Sequence, residues 1–150
     1  MEQPSSQSLL GNVVWTISNL CRGKPLPPVE LIQPAIGPIA LLLNRQVEPE
    51  VLVDAVWALS YLSDGDDEKI NMVMDTGVTP KLVELLEKSD KMLLTPLVRT
   101  LGNLVTGNDE QTQAVVNAGV VAAMNGLLEH PNVSFRNVFL PVGLYNEALV

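Results

Sequence analysis

Several residue types are scarce in this 150-residue chain. It holds one cysteine, one histidine, two tryptophans, two tyrosines and two phenylalanines. A single thiol, Cys21, cannot close an internal disulfide and fits a reducing compartment. One histidine, His130, beside Pro131, leaves no cluster from which a metal site or an acid–base pair can be built. Glycine-rich phosphate loops are missing too, so the sequence reads as no enzyme and calls for no cofactor. His130 is expected at a helix end, interacting with the dipole, and Cys21, beside an apolar stripe, is expected as inert packing. Positive charge is sparse: nine Lys and Arg against seventeen Asp and Glu give a net charge of -8. That sign disfavours nucleic acid and favours a basic partner. Long apolar runs are also lacking; those near 35–43 and 120–128 are too short to span a bilayer. The opening Met1-Glu2-Gln3-Pro4-Ser5-Ser6 shows no secretory pattern. The sequence therefore reads as soluble and intracellular.

Apolar residues are abundant at 47%, which argues for an ordered chain. They recur with a long period. The phrase Trp57-Ala58-Leu59-Ser60-Tyr61 has variants forty-two positions away on each side, Trp15-Thr16-Ile17-Ser18-Asn19 and Arg99-Thr100-Leu101-Gly102-Asn103. Gly77 and Gly119 keep the same separation, as do Leu86 and Leu128. A unit of about 42 residues, with one short and two longer helices, lies in the range of armadillo and related helical repeats. Ladder helices are predicted near residues 9–21, 50–63 and 91–106. Between the first two, Val29–Ala35 and Pro38–Asn44 read as two short helices. Residues 1–8 read as a polar leader, 9–136 as the repeats, and 137–150 as a non-repeat tail, because Pro141 stands where the next ladder aromatic would fall. The fold class is all-α, a right-handed solenoid of about three repeats with three helices each, incomplete at both ends.

Each ladder helix carries an apolar row at i, i+3, i+7, i+10. The rows are Leu10, Val13, Ile17 and Leu20; Leu52, Ala55, Leu59 and Leu62; and Leu94, Leu97, Leu101 and Leu104. At 100° per residue, Trp57 and Tyr61 point roughly 160° away from the row's centre. They are therefore expected to face a groove. An Asn amide can donate to and accept from a peptide backbone at once, so Asn19 and Asn103 can clamp an extended chain. Indoles on neighbouring helices can wall in the stem of a Lys or Arg, with a cation–π attraction of about 0.5 to 2 kcal/mol. The plainer alternative packs Trp15 and Trp57 between repeats, with the Asn side chains on local backbone and Arg99 as a solvated or ion-paired residue.

The stretches Asn12 to Arg22, Asp54 to Gly65 and Arg99 to Gln113 closely resemble three successive armadillo repeats in the middle of the importin alpha family. The order of rungs, Trp-Asn, Trp-Tyr, Arg-Asn, is specific, and the likeness covers about residues 9 to 136. The resemblance implies a nuclear import adapter that binds basic nuclear localisation signals of cargo proteins and works with importin beta in cytoplasm and nucleus. It implies that Trp15, Asn12 and Asn19 form the last rung of a larger signal site. Trp57, Tyr61, Arg99, Asn103, Val105 and Thr112 would begin a smaller one, with Arg99 helping to separate the two. The basic segment through which the family binds importin beta is not found, and neither are the earlier and later repeats. Two other readings stay open: a non-transporting helical-repeat scaffold for protein–protein interaction, and a truncated, inactive importin alpha product.

Overall fold

The computed structural model describes residues 6–23, 25, 27–88 and 91–128. The expectations for His130, the tail and the first five residues lie outside the described residues. Eight helices follow one another: α1 (Ser6–Arg22), α2 (Val29–Leu42), α3 (Pro49–Leu62), α4 (Asp67–Met74), α5 (Thr79–Lys88), α6 (Lys91–Leu104), α7 (Asp109–Asn117) and α8 (Val120–Leu128). Among the described residues there is no strand, and no helix is long and apolar enough to cross a membrane.

Equivalent helices stack on one another. The ladder helices form one row, in which α3 packs against α1 on one flank and α6 on the other; α4 meets α7, and α5 meets α8. That is the logic of a solenoid, in which each unit buries its apolar face on its neighbours. Ala55 and Ala58 are fully buried on α3 and keep it slim enough to be sandwiched; Val56 and Leu59 fill the remaining space. Leu97, Val98, Leu101 and Leu104 do the same for α6.

Caps fix where the outer helices begin. Asp66 accepts from the backbone N–H of Lys69 at the start of α4, and the equivalent Asn108 forms a reciprocal capping box with Gln111 at the start of α7. Gln111 also reaches back across the repeat boundary, donating to the Asp67 carbonyl at 2.9 Å and the Asn71 side chain at 2.8 Å. One side chain thus caps a helix and joins two repeats.

Two expectations are corrected. The two short helices predicted at 29–35 and 38–44 are one helix, α2, which runs through Pro34 and Pro38. In the next two repeats the corresponding break is made by Gly77 and Gly119, at φ of 73° and 95°. Position 35 is alanine, for which that left-handed backbone costs about 1–2 kcal/mol. Without the break the helix continues. Both prolines are exposed, as are Glu30 and Pro34 four residues before them, so the carbonyls left without a donor lie on the solvent side.

The second correction concerns the apolar row of the first ladder helix. On α6 all four row residues are buried, and on α3 only Leu52 is partly exposed. On α1, however, Val13 is 47% and Leu20 57% exposed, and the buried residues are Val14, Ser18 and Cys21. The physical reason is neighbour count. α3 packs against α1, α6, α2 and α4, and α6 against α3, α5, α7 and α4, whereas α1 packs substantially against α3 alone among the described helices.

Cys21 is 2% exposed, and burial pushes its thiol pKa up. It stays protonated and packs as a small apolar side chain.

Candidate functional site: a groove across three ladder helices

Because α1, α3 and α6 lie side by side in register, their phrases form adjoining rungs. Gly11 lies at the seam between the first two, where a Cβ would just touch the Val51 side chain at 3.4 Å. Three cavities follow one another along the seams.

The first, of ≈ 530 Å³, is lined by Asn12, Trp15, Glu48, Glu50 and Asp54, among others. Trp15 is 59% exposed, an unusual position for an indole in a folded helical array. The three carboxylates make this end of the groove strongly acidic. Burial, and then the neighbouring Glu50 charge, raise the pKa of Asp54. A carboxylate in that state gains from a cation brought beside it.

The second cavity, of ≈ 390 Å³, lies between the indoles. Trp15, Asn19, Arg22, Asp54, Trp57 and Tyr61 line it with Ser18, so the two predicted Trp walls share one space that holds one cation and one carboxylate. The third, of ≈ 380 Å³, is lined by Arg22, Trp57, Tyr61, Asp64 and Arg99. Trp57 stacks on Tyr61 with centroids 5.6 Å apart and planes at 21°. Arg99 lies over the Tyr61 ring at 5.4 Å and pairs with Asp64 at 3.4 Å. Tyr61 is partly buried and packs against the core, so it belongs to core and groove at once.

The two Asn amides both serve backbone. Asn19 donates to the Trp15 carbonyl of its own helix at 2.9 Å. Asn103 donates to the Ser60 carbonyl of α3 at 2.8 Å and lies 3.3 Å from the Ser63 hydroxyl. Thr112 donates to the Val105 carbonyl at 3.3 Å. The structure therefore gathers Asn12, Trp15, Asn19, Trp57, Tyr61 and Arg99 along continuous cavities. Asn103, Val105 and Thr112 line none of these three.

Sequence reasoning missed the charges. Asp54 and Asn12 are one period apart, as are Asp64 and Arg22, so the repeat register that found the aromatics also pointed to them. Glu48 and Glu50 flank Pro49 at the start of α3 and carry no such register signal. Among the described residues no group of three His, Cys, Asp or Glu side chains could hold a metal ion.

Comparison with known proteins agrees with this architecture. The family model for the Armadillo/beta-catenin-like repeat matches residues 66–106. Importin subunit alpha-1b of Oryza sativa subsp. japonica is 47% identical over 55 residues, covering 37% of this chain and 10% of that protein. Importin subunit alpha-B of Dictyostelium discoideum is 48% identical over 48 residues, covering 32% and 9%. The chain thus spans about a tenth of the length of the curated relatives it matches. Among solved structures, a designed armadillo repeat protein in complex with the peptide (KR)4 superposes with a TM-score of 0.77 at 27% identity, over 90% of this chain and 56% of that one. A computationally designed armadillo repeat protein for modular peptide recognition gives 0.78 at 27% identity, over 96% and 61%. The chain is an armadillo-repeat solenoid whose sequence is similar to that of the importin alpha subunits.

Proposed function

We propose that the groove across α1, α3 and α6 binds extended, lysine- or arginine-rich peptides of the nuclear localisation type, as part of an importin alpha-like adapter for protein import into the nucleus. One observation carries the reading: the exposed Trp15 indole shares a cavity with Glu48, Glu50 and Asp54. An indole face and a carboxylate together suit one kind of side chain, an alkyl stem that ends in a cation. Trp57 supplies the second wall. The likeness to a designed repeat protein holding the peptide (KR)4 supports the same ligand class.

In this reading Asn12, Trp15, Asn19, Trp57 and Tyr61 contact the peptide. Arg99, Asn103, Val105 and Thr112 extend the surface toward a further rung. The net charge of -8 speeds encounter with a basic ligand. The adapter would work in cytoplasm and nucleus, with importin beta as partner of the longer protein.

The test is fluorescence anisotropy with a labelled lysine-rich peptide and its alanine counterpart. Saturable binding of the first, at least tenfold weaker for the second and weakened by Trp15→Ala, is the expected result. Equal binding of both peptides, or of neither, overturns the reading.

A further inference from the structure

Each end of the described array exposes side chains whose equivalents in the neighbouring repeats are buried. On α1, Val13 and Leu20 are exposed, whereas Ala55 and Leu62 one period on, and Leu97 and Leu104 two periods on, are buried. Leu31 on α2 is 74% exposed, yet its equivalents Val73 on α4 and Val115 on α7 are 0% exposed. The opposite end behaves in the same way. On α8, Val121 is 64% and Leu128 57% exposed, where Thr79 and Leu86 of α5 are buried.

The two ends also complement each other in phase. A repeat is an outer stretch followed by a ladder helix: α2 then α3, and α4 with α5 then α6. The described array opens on a ladder helix, α1, and closes on an outer pair, α7 and α8. Inside the chain, α5 lies against its own ladder helix α6 and against the next outer helix α8. Moved on by one period, α8 requires a ladder helix such as α1 and an outer helix such as α2. Those two helices hold between them an apolar cleft of ≈ 390 Å³, lined by Leu10, Val13, Ile17, Ile39 and Leu41, among others.

We propose that the chain stacks head to tail on a second copy of itself, with α8 of one copy seated in the α1–α2 cleft of the next and α1 of that next copy laid against α6. The contact continues the packing of α1 on α3 and of α3 on α6, so it uses only geometry that the fold already repeats. Val14, Ser18 and Cys21, the buried residues of α1, are already spent on α3, which leaves the Val13 and Leu20 side free for the second copy. Burial of those apolar side chains drives the association. The contact is heterologous: every added copy leaves one free face at either end, so assembly is open and grows with concentration. Stacking also sets Trp15 of the second copy one rung beyond Arg99, beside Asn103 and Val105, which line none of the three groove cavities in the single chain. The second copy thereby supplies the wall of a third seam. The stacking itself does not depend on the peptide-binding reading.

Sedimentation of the intact chain tests this over about 1 µM to 1 mM. The mean mass of the unmodified chain is expected to rise with concentration, to that of a dimer and beyond. Leu20→Glu puts a charge on the α1 face, and Val121→Glu puts one in the first turn of α8, where it suits the helix dipole. Both positions are exposed in the single chain, so each variant should keep its far-UV spectrum and sediment as a monomer throughout. Leu31→Lys on α2 is a second block of the first face and should act as Leu20→Glu does. An equimolar mixture of Leu20→Glu and Val121→Glu should form a dimer and stop there, because each retains the face that the other has lost. A mass that stays at that of one chain, as it will if residues 129–150 of the same chain cover α6 and α8, overturns the proposal. Association that survives either substitution, the mark of a symmetric contact between like faces, overturns it too, and so does a mixture that remains monomeric.

Discussion

Asn103 on α6 gives its side-chain amide to the main-chain oxygen of Ser60 on α3, at 2.8 Å. The bond spans forty-three positions and joins two repeats through the most regular residue of the ladder. A side chain expected in the groove is also a tie between helices. Replacing it with alanine removes one of two side-chain donors to the carbonyl of a fully buried residue; the Ser63 hydroxyl, donating at 3.2 Å, remains. Loss of one such bond costs about 0.5–1.5 kcal/mol. Urea unfolding of Asn103→Ala should show that drop with an unchanged m value; a loss below about 0.5 kcal/mol would mean the bond is dispensable.

The two tryptophans should separate in their effects. Trp15 is 59% exposed, so Trp15→Ala is expected to weaken basic-peptide binding with a stability change within about 0.5 kcal/mol. Trp57 stacks on Tyr61, and its removal should lower stability as well, by about 0.5–1.5 kcal/mol for the ring pair plus the lost burial. Thermal melts beside peptide titrations decide this. Equal destabilisation by both would contradict the difference in burial.

Acidity should weaken binding early. Burial and Glu50 hold the pKa of Asp54 above its ordinary value, so its charge disappears on acidification before that of an exposed aspartate. Affinity for a lysine-rich peptide is full at neutral pH and falls as pH drops through that raised value, because proton and peptide compete for the carboxylate. The sign for stability is opposite. A raised folded-state pKa means that the folded chain binds the proton more tightly, so the penalty from Asp54 is present at neutral pH and relieved on acidification. Asp54→Asn should lower neutral-pH affinity and shift the affinity decline to lower pH. A profile identical to that of the unmodified chain would exclude Asp54 as the titrating group.

Glycine at 77 and alanine at 35 offer a matched pair. Gly77→Ala places a Cβ on a backbone at φ 73° and should cost about 1–2 kcal/mol by chemical denaturation, although open space surrounds the position. Ala35→Gly should cost less, about 0.5–1 kcal/mol, because it only loosens a helix interior. Equal costs would remove backbone geometry as the reason α2 is unbroken.

Much of the architecture was legible because it repeats. A Trp, Tyr or Asn at fixed phase marks a helix face wherever it recurs, and the rows on α3 and α6 followed from the 3.6-residue period. The row on α1 did not, since burial depends on what lies alongside, and Val13 and Leu20 carry the same pattern as their buried counterparts. The single helix α2 was hidden by its prolines; the decisive signal was Ala35 in a glycine's place. In the groove, the aromatic rungs stood out by rarity. Asp54 and Arg22 are ordinary surface residues until the fold sets Asp54 beside Trp15 and Arg22 in one cavity with Arg99.

The uncovered row on α1 has a kinetic meaning. A helix with one substantial partner opens more readily than a helix with several, so among the three ladder helices amide exchange should be fastest in α1 and slower in α3 and α6. Trp15, Asn12 and Asn19, half the wall of the groove, stand on that fraying strip. A peptide that grips it fastens the loosest of the three ladder helices to the central one, and its residence time sets how long α1 stays closed.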